Sequence, residues 1–393
     1  LSLGSNISAT QAVESKYSGV FDGTDDFVDC GLIDFNTNDF SVSCWVKLRE
    51  WTQYSTIWSN RSDSSNSNIG VGLRTTGVTG ELQLFSDWGT PTDSSIVTGV
   101  PADTWVHVVC TGDRDGNQVI YLNDDDATTT TDISDRSSVD FTSNLEFRIG
   151  RSHGDLYHNM SISQLGIWNV ALSANAVEAL YNNGKPINLR INQGNYTSSS
   201  NLQQYYKFGN GLFDDKAIGI VHDQDNPGFG SNLVTNGHFD VNTSGWSAGS
   251  GRYIHSLTWE KDCLYFCSVD LYLVSGKFRI DGADTAVIGA GTGSNSEIIG
   301  IETYDAAIDD RWRTVTGYAI GVASGNTDEL WIRSFGTSSG KSITQGTFGG
   351  RSGVARFVFT DTGEFYIDNV SVKKINGKPG LTSGGVTFSS DTP

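Results

Sequence analysis

The chain reads as an all-β protein built from antiparallel β-sandwiches, and three observations predict this. Apolar and polar residues alternate with a period of two over many short runs, as in FSVSCWVKL (40–48) and TWVHVVCT (104–111). Turn-forming clusters such as SNRSDSSNSN and DDDATTTTDISD separate the runs at short intervals. The 393 residues include 46 Gly but only 6 Pro, and 19 Phe, 14 Tyr and 10 Trp supply bulk for more than one core. Many short strands at this spacing predict sandwiches.

The elements follow in order. Residues 118–122, QVIYL, form a hairpin with 104–111, because DRDGN between them centres on Asp-Gly, a turn signal. LEFRIG (145–150) and ISQLGIW (162–168) are further strands. One helix is predicted over SANAVEALYNNG (173–184), with Ser173 capping its start and Gly184 ending it. Val177 and Leu180 would face the sandwich. The first domain thus spans 1–187. Residues 188–230 turn polar, then aromatic in YYKFGNG and acidic in HDQDNPGFG, and are predicted to be a connector packing on that domain. A second strand-rich domain covers 231–374, from SNLVTNGHFD to EFYIDNVSVKK. Residues 375–393 lack a core pattern and are expected to be a tail or linker.

In EFYIDNVSVKK, strict alternation puts Tyr366, Asp368, Val370 and Val372 on one face. A carboxylate buried among apolar neighbours needs a partner. A metal, backbone N–H groups, or an edge position in water would each serve.

Composition excludes several classes. Lysine and arginine total 26 against 45 acidic residues, a net charge of −19, which disfavours nucleic acid and anionic membranes. No apolar run approaches the roughly 20 residues of a membrane span, so no membrane insertion is expected. The start shows no signal-peptide pattern, and it begins at Leu1, as a processed chain or part of a longer one would. None of the five cysteines lies in a CxxC pair. Cys263 and Cys267 on one strand would stand about 13 Å apart, too far for a disulfide. Free buried thiols and folding in a reducing compartment are expected. There is no HExxH, no Walker-type loop and no Gly-x-Ser-x-Gly between strand and helix signals.

The stretches YSGVFDGTDDFVDCG, FSVSCWVKL, TWVHVVCTGDRDGNQVIYLND and ISQLGIWNVALSANAVEALYNNGKP, in this order, resemble the laminin-G-like, concanavalin-A-like jelly roll over roughly 17–187. The resemblance implies two packed antiparallel sheets, binding of glycans or proteins, and in many members calcium at a sheet edge. Relatives that hydrolyse glucans carry acidic residues two apart on one strand, whereas here Glu81 and Glu146 each stand alone. Retaining chemistry needs two carboxyls about 5 Å apart, so no enzyme and no catalytic residue is predicted.

The second domain resembles the galactose-binding-like jelly roll of carbohydrate-binding modules, through NLVTNGHFDVNTSGW and GEFYIDNVSVKK at its two ends. That resemblance implies a structural calcium held by Asp240 and Asp368, with the backbone carbonyl of His238 as a further ligand. Asp240 stands where the family usually has Glu. The chain is thus two jelly rolls with one short helix after the first. This order of domains, with the stretches that link and follow them, is similar to virion proteins of marine tailed bacteriophages.

Calcium takes six to eight oxygen ligands, and two further clusters qualify by composition. Asp22, Asp25 and Asp26 lie in FDGTDD, and Asp124, Asp125 and Asp126 lie in NDDDA. For both, a solvated turn is the competing reading. Glycans would stack on exposed rings, for which Trp51, Tyr54 and Trp88 are the candidates, while Trp45, Trp105 and Trp168 alternate with apolar residues and read as core.

The function expected is that of a non-enzymatic bacteriophage virion surface protein: a fibre, spike or capsid decoration assembled in the host cytoplasm. Its partners would be other virion proteins and host-surface glycans, and a homotrimer would suit a fibre. One alternative is a bacterial cell-surface adhesin or carbohydrate-binding accessory module. Another is a capsid-decorating protein without a ligand.

Overall fold

The computed structural model describes residues 15–33, 35–61, 69–88, 92–124, 130–140, 145–152, 154–212, 214, 219–225, 227–283, 285–286, 295–301, 303–309, 311–321, 329–334 and 340–393. The chain folds into two compact units. The first comprises Leu1–Pro227 with Gly377–Pro393, and the second is Gly228–Asn376. Both are antiparallel sandwiches, and the fold is nearly all-β.

The first unit packs two eight-stranded sheets face to face. One is centred on Phe40–Leu48, which lies between Trp105–Gly112 and Asn159–Trp168. The other is centred on Glu146–Ile149 and Thr56–Ser59. Phe40, Val42, Cys44, Val46 and Leu48 all point into one core with Ile57, Trp58 and Phe147. Those alternate residues form the inner face of a strand. Burying each large apolar side chain contributes about 1.5–3 kcal/mol.

A smaller cluster covers the outer face of the first sheet. The helix Ala174–Tyr181 starts at Ser173, whose Oγ accepts from the Ala176 amide, and ends at Asn182 in the left-handed region. Ala176, Val177 and Leu180 bury against Trp168, Tyr196 and Tyr205. Tyr196 belongs to the expected connector, and its hydroxyl accepts from Trp168 Nε1 at 3.0 Å. The connector is in fact partly sheet. Leu202–Tyr206 pairs with Asn159–Trp168, and Ile220–His222 joins the other sheet.

The expected C-terminal tail is also sheet. Pro379–Ser383 runs between Ile220–His222 and Phe27–Leu32, and Thr387–Ser389 pairs with Ser18–Asp22. These strands are bound through backbone hydrogen bonds, which any non-proline residue can supply, so GLTSGGVTFSS needs no apolar alternation to join them. The second unit is therefore an insertion between two strands that pair with each other. Its own ends meet: the Asn376 amide donates to the Gly228 carbonyl at 3.0 Å.

In the second unit, a seven-stranded sheet containing Leu264–Gly276, Arg351–Phe359 and Gly363–Ile375 faces a five-stranded sheet. A short helical turn, Ala306–Asp309, lies between strands. The face expected for Asp368 needs correction. Phe365 and Ile367 point into the core, and so do Val370 and Val372. Tyr366 and Asp368 lie on the opposite face. The phase changes at Asn369, whose φ of 53° marks a bulge where the register with Leu264–Gly276 shifts. One extra residue at a bulge inverts the alternation beyond it.

Candidate functional site

The second unit presents an aromatic and charged surface on the outer face of its larger sheet. Leu271 and Leu273 are core residues, so alternation sends Tyr272 outward, and register places it opposite Tyr366. Phe348 lies flat on Tyr366, with ring centroids 3.7 Å apart, and meets Tyr272 edge-on at 4.9 Å. Trp312 stands 6.0 Å from Tyr272, and the Arg351 guanidinium lies 4.5 Å over its indole. All five side chains are half-buried.

Arg351 links this patch to two acids that are cross-strand partners, Asp270 and Asp368. Its Nη1 is 2.6 Å from Asp270 Oδ2 and 3.6 Å from Asp368 Oδ2. Asp270 also accepts from Thr314 Oγ1 at 2.6 Å and Asn369 Nδ2 at 2.8 Å. Burial pushes the Asp270 carboxyl up, but the bonds from Thr314, Asn369 and Arg351 outweigh it and hold the group below its ordinary range. Burial raises the Asp368 carboxyl, despite support from the Asn369 amide and Arg351. The guanidinium thus serves Asp270 first. A surface with flat rings, a fork of N–H donors and carboxylate acceptors can stack on a sugar face and hydrogen-bond its hydroxyls. Strict alternation in LYLVSG and GEFYID could have found Tyr272 and Tyr366. Phe348 and Arg351 carry no such signal, because only folding brings their hairpin to the patch.

The expected second-unit calcium residues fall nearby. His238 Nδ1 shares a hydrogen bond with Asn369 Oδ1. Asp240 lies against Gly353, and its carbonyl accepts from Gln345 Nε2 at 3.1 Å. Among the described residues, three metal-ligating side chains converge at Asp22, Asp25 and Asp26, with ligand atoms within 4.8 Å of one another. Asp26 is buried and its Oδ2 accepts from the Asp22 amide at 2.9 Å, while Asp22 and Asp25 are exposed. Burial, with repulsion from Asp22 and Asp25, raises the Asp26 carboxyl despite that bond. Three crowded carboxylates fit a hard, oxygen-seeking divalent cation. Of the NDDDA acids, Asp125 and Asp126 lie outside the described residues.

The expected glycan-stacking residues have different settings. Trp51 is half-buried against the first core. Tyr54 is 41% exposed, and the Arg74 guanidinium sits 4.3 Å from its ring and 4.3 Å from that of Phe85. Trp88 ends the strand Leu82–Trp88, and its side chain lies outside what is described. Trp45 and Trp168 are buried as expected, but Trp105 is half-buried and its Nε1 donates to Asp391.

No curated protein matches the sequence. Among solved structures, a candidate carbohydrate binding protein from Bacteroides ovatus aligns at 18% identity and a TM-score of 0.40, over 54% of this chain and 56% of its own. This chain therefore spans little more than half of that protein. A heptameric SAP-like pentraxin from Limulus polyphemus aligns at 16% identity and a TM-score of 0.34, over 43% and 84%. Domain 4 of an extracellular arabinanase from Geobacillus stearothermophilus, solved with arabinotriose, aligns at 24% identity and a TM-score of 0.33, over 42% and 76%. Residues 22–178, within the first unit, match the laminin-G-type family model described as the concanavalin A-like lectin/glucanases superfamily.

Proposed function

We propose that the protein is a non-catalytic glycan-binding protein of a bacteriophage virion surface, attaching the particle to host-surface glycans. The observation that carries glycan binding is the outward patch of Tyr272, Trp312, Phe348 and Tyr366 around Arg351, Asp270 and Asp368. The patch sets ring faces, N–H donors and carboxylate acceptors side by side on a sheet's outer face, the combination that a sugar's C–H face and hydroxyls can use. The match of residues 22–178 to a lectin and glucanase superfamily supports the same reading. The virion location rests on the domain order alone. We also propose a structural calcium at Asp22, Asp25 and Asp26.

A glycan array probed with wild-type protein and with Trp312→Ala tests the binding. Loss of the wild-type signals in Trp312→Ala, with unfolding unchanged, is the expected result. Wild-type protein that binds no glycan would sink the reading and favour a decorating role without ligand. Immunoelectron microscopy of particles tests the location.

A further inference from the structure

A cleft of about 350 Å³ in the first unit shares no lining residue with the aromatic patch or the aspartate cluster. It opens where Leu202–Tyr206, the segment 222–225 and the returning Gly377–Lys378 come together. A volume near the lower end of the range for ligand sites suits one small molecule rather than a polymer chain. Its apolar lining is Leu32, Ile33, Phe35 and Ile167, with Leu32 42% exposed, and Lys378 also lines it, its Nζ donating to the Leu32 carbonyl.

The polar lining has unused hydrogen-bonding capacity. Gln204 is only 6% exposed, and its Oε1 accepts from the Tyr206 hydroxyl at 2.9 Å. Among the described residues its Nε2 donates to nothing, although it lines the cleft. Asn169 Oδ1 is buried and accepts no hydrogen bond. The Asp225 carboxylate forms no ion pair and accepts no hydrogen bond from a described residue, and burial raises it from its ordinary value. Asp223 beneath them is differently placed, since its Oδ1 accepts from the Tyr205 and Asp225 amides at 2.8 and 2.9 Å. Buried polar groups are rarely left unpaired, as Asn169 Oδ1 is here, and Gln204 Nε2 and the half-buried Asp225 carboxylate in the same cleft stand open to a ligand.

We infer that this cleft binds a single sugar residue or similar small polyol, its C–H face on Leu32, Ile33 and Phe35 and its hydroxyls on Gln204, Asn169 and Asp225. A hydroxyl both donates and accepts, so one ligand type satisfies Gln204 Nε2 and Asp225 together. An anion would meet two carboxylates, Asp223 and Asp225, against the single Lys378 ammonium, which already donates to the Leu32 carbonyl, and a bare metal ion would leave Gln204 Nε2 facing a like charge. The class of ligand rests on the glycan-binding reading, but the residues are different and lie in the other unit.

The test is saturation-transfer NMR and calorimetry with a panel of neutral hexoses and N-acetylhexosamines. The proteins compared are the intact wild type, Asp225→Ala, Leu32→Trp and Trp312→Ala. Leu32→Trp fills the cleft from an exposed position without removing a polar group, so it separates loss of binding from loss of fold. Binding by the wild type, weakened about tenfold or more in Asp225→Ala and Leu32→Trp and unchanged in Trp312→Ala, is expected. Unaltered binding in both cleft variants would overturn the proposal, as would a wild type that binds none of the panel. If oligosaccharide binding persists and depends on Trp312 while the panel fails, the cleft proposal falls and the glycan-binding reading stands.

Discussion

Trp105 Nε1 donates to Asp391 Oδ1 at 3.1 Å, joining two residues 286 positions apart. Lys47 Nζ donates to the other oxygen at 3.1 Å, and the Asp391 carbonyl accepts from Ser18 Oγ at 2.6 Å. The segment that carries Asp391 is therefore fastened to three strands of one sheet.

Deleting residues 377–393 is expected to lower the melting temperature of the first unit strongly. Each stripped ladder hydrogen bond costs roughly 1 kcal/mol. Asp391→Ala alone should cost about 0.2–1 kcal/mol, since its side chain is 44% exposed. Burial raises the Asp391 carboxyl, but Trp105 and Lys47 more than reverse this and hold it low. Its contribution is therefore present above the unfolded carboxyl value and lost as pH falls through the folded one. Thermal melts of the three proteins at several pH values check this, and a deletion that melts like the wild type would refute the strand assignment.

The second unit should fold alone. Its ends are joined by Asn376 and Gly228, and Phe229 pairs in register with Ile375. A domain with adjacent termini can be excised or inserted without stretching its chain. A fragment of 228–376 is expected to show cooperative urea unfolding, and a molten fragment would refute its independence.

Asn369 should be hard to replace except by glycine. Its φ of 53° costs an ordinary L residue about 1–2 kcal/mol, and its Nδ2 also supports Asp270. Asn369→Ala should therefore lower stability by more than Asn369→Gly, measured by urea denaturation of the second unit. Equal losses would mean that the side-chain bond, not the backbone, sets the cost.

Asp223 makes the first unit's stability depend on pH in an unusual direction. Burial pushes its carboxyl up to about 6, against the amide bonds from Asp225 and Tyr205. With the folded value raised, the native state holds its proton more tightly, so this group favours folding at low pH. That contribution falls as pH rises from the unfolded value of about 3.9 toward 6, by roughly 3 kcal/mol at most. Asp223→Asn keeps an acceptor for both amides and should be more stable relative to wild type at pH 7 than at pH 4. A constant difference across that window would contradict it.

Calcium should raise the melting temperature of the first unit through Asp22, Asp25 and Asp26. Binding to the folded state alone stabilises by mass action. Chelator should reverse the shift and Asp25→Ala should abolish it, read by calorimetry. No shift in the wild type would remove the proposed ion.

The strands around FSVSCWVKL and TWVHVVCT, the hairpin turn and the helix after Ser173 were all legible from the sequence, because period, turn chemistry and capping are local. The candidate site was legible only in part. Alternation in LYLVSG and GEFYID marks Tyr272 and Tyr366, but their neighbours Phe348 and Arg351 come from a hairpin whose position depends on strand pairing. Strict alternation put Asp368 beside Val370 and Val372, and the bulge at Asn369 reversed that. The sequence by itself determined two antiparallel sandwiches and their helix. Tertiary structure alone decided that 377–393 returns to the first unit and that Arg351 bridges Asp270 and Asp368. Backbone pairing is nearly blind to side-chain type, and a register shift of one residue inverts a face at little local cost.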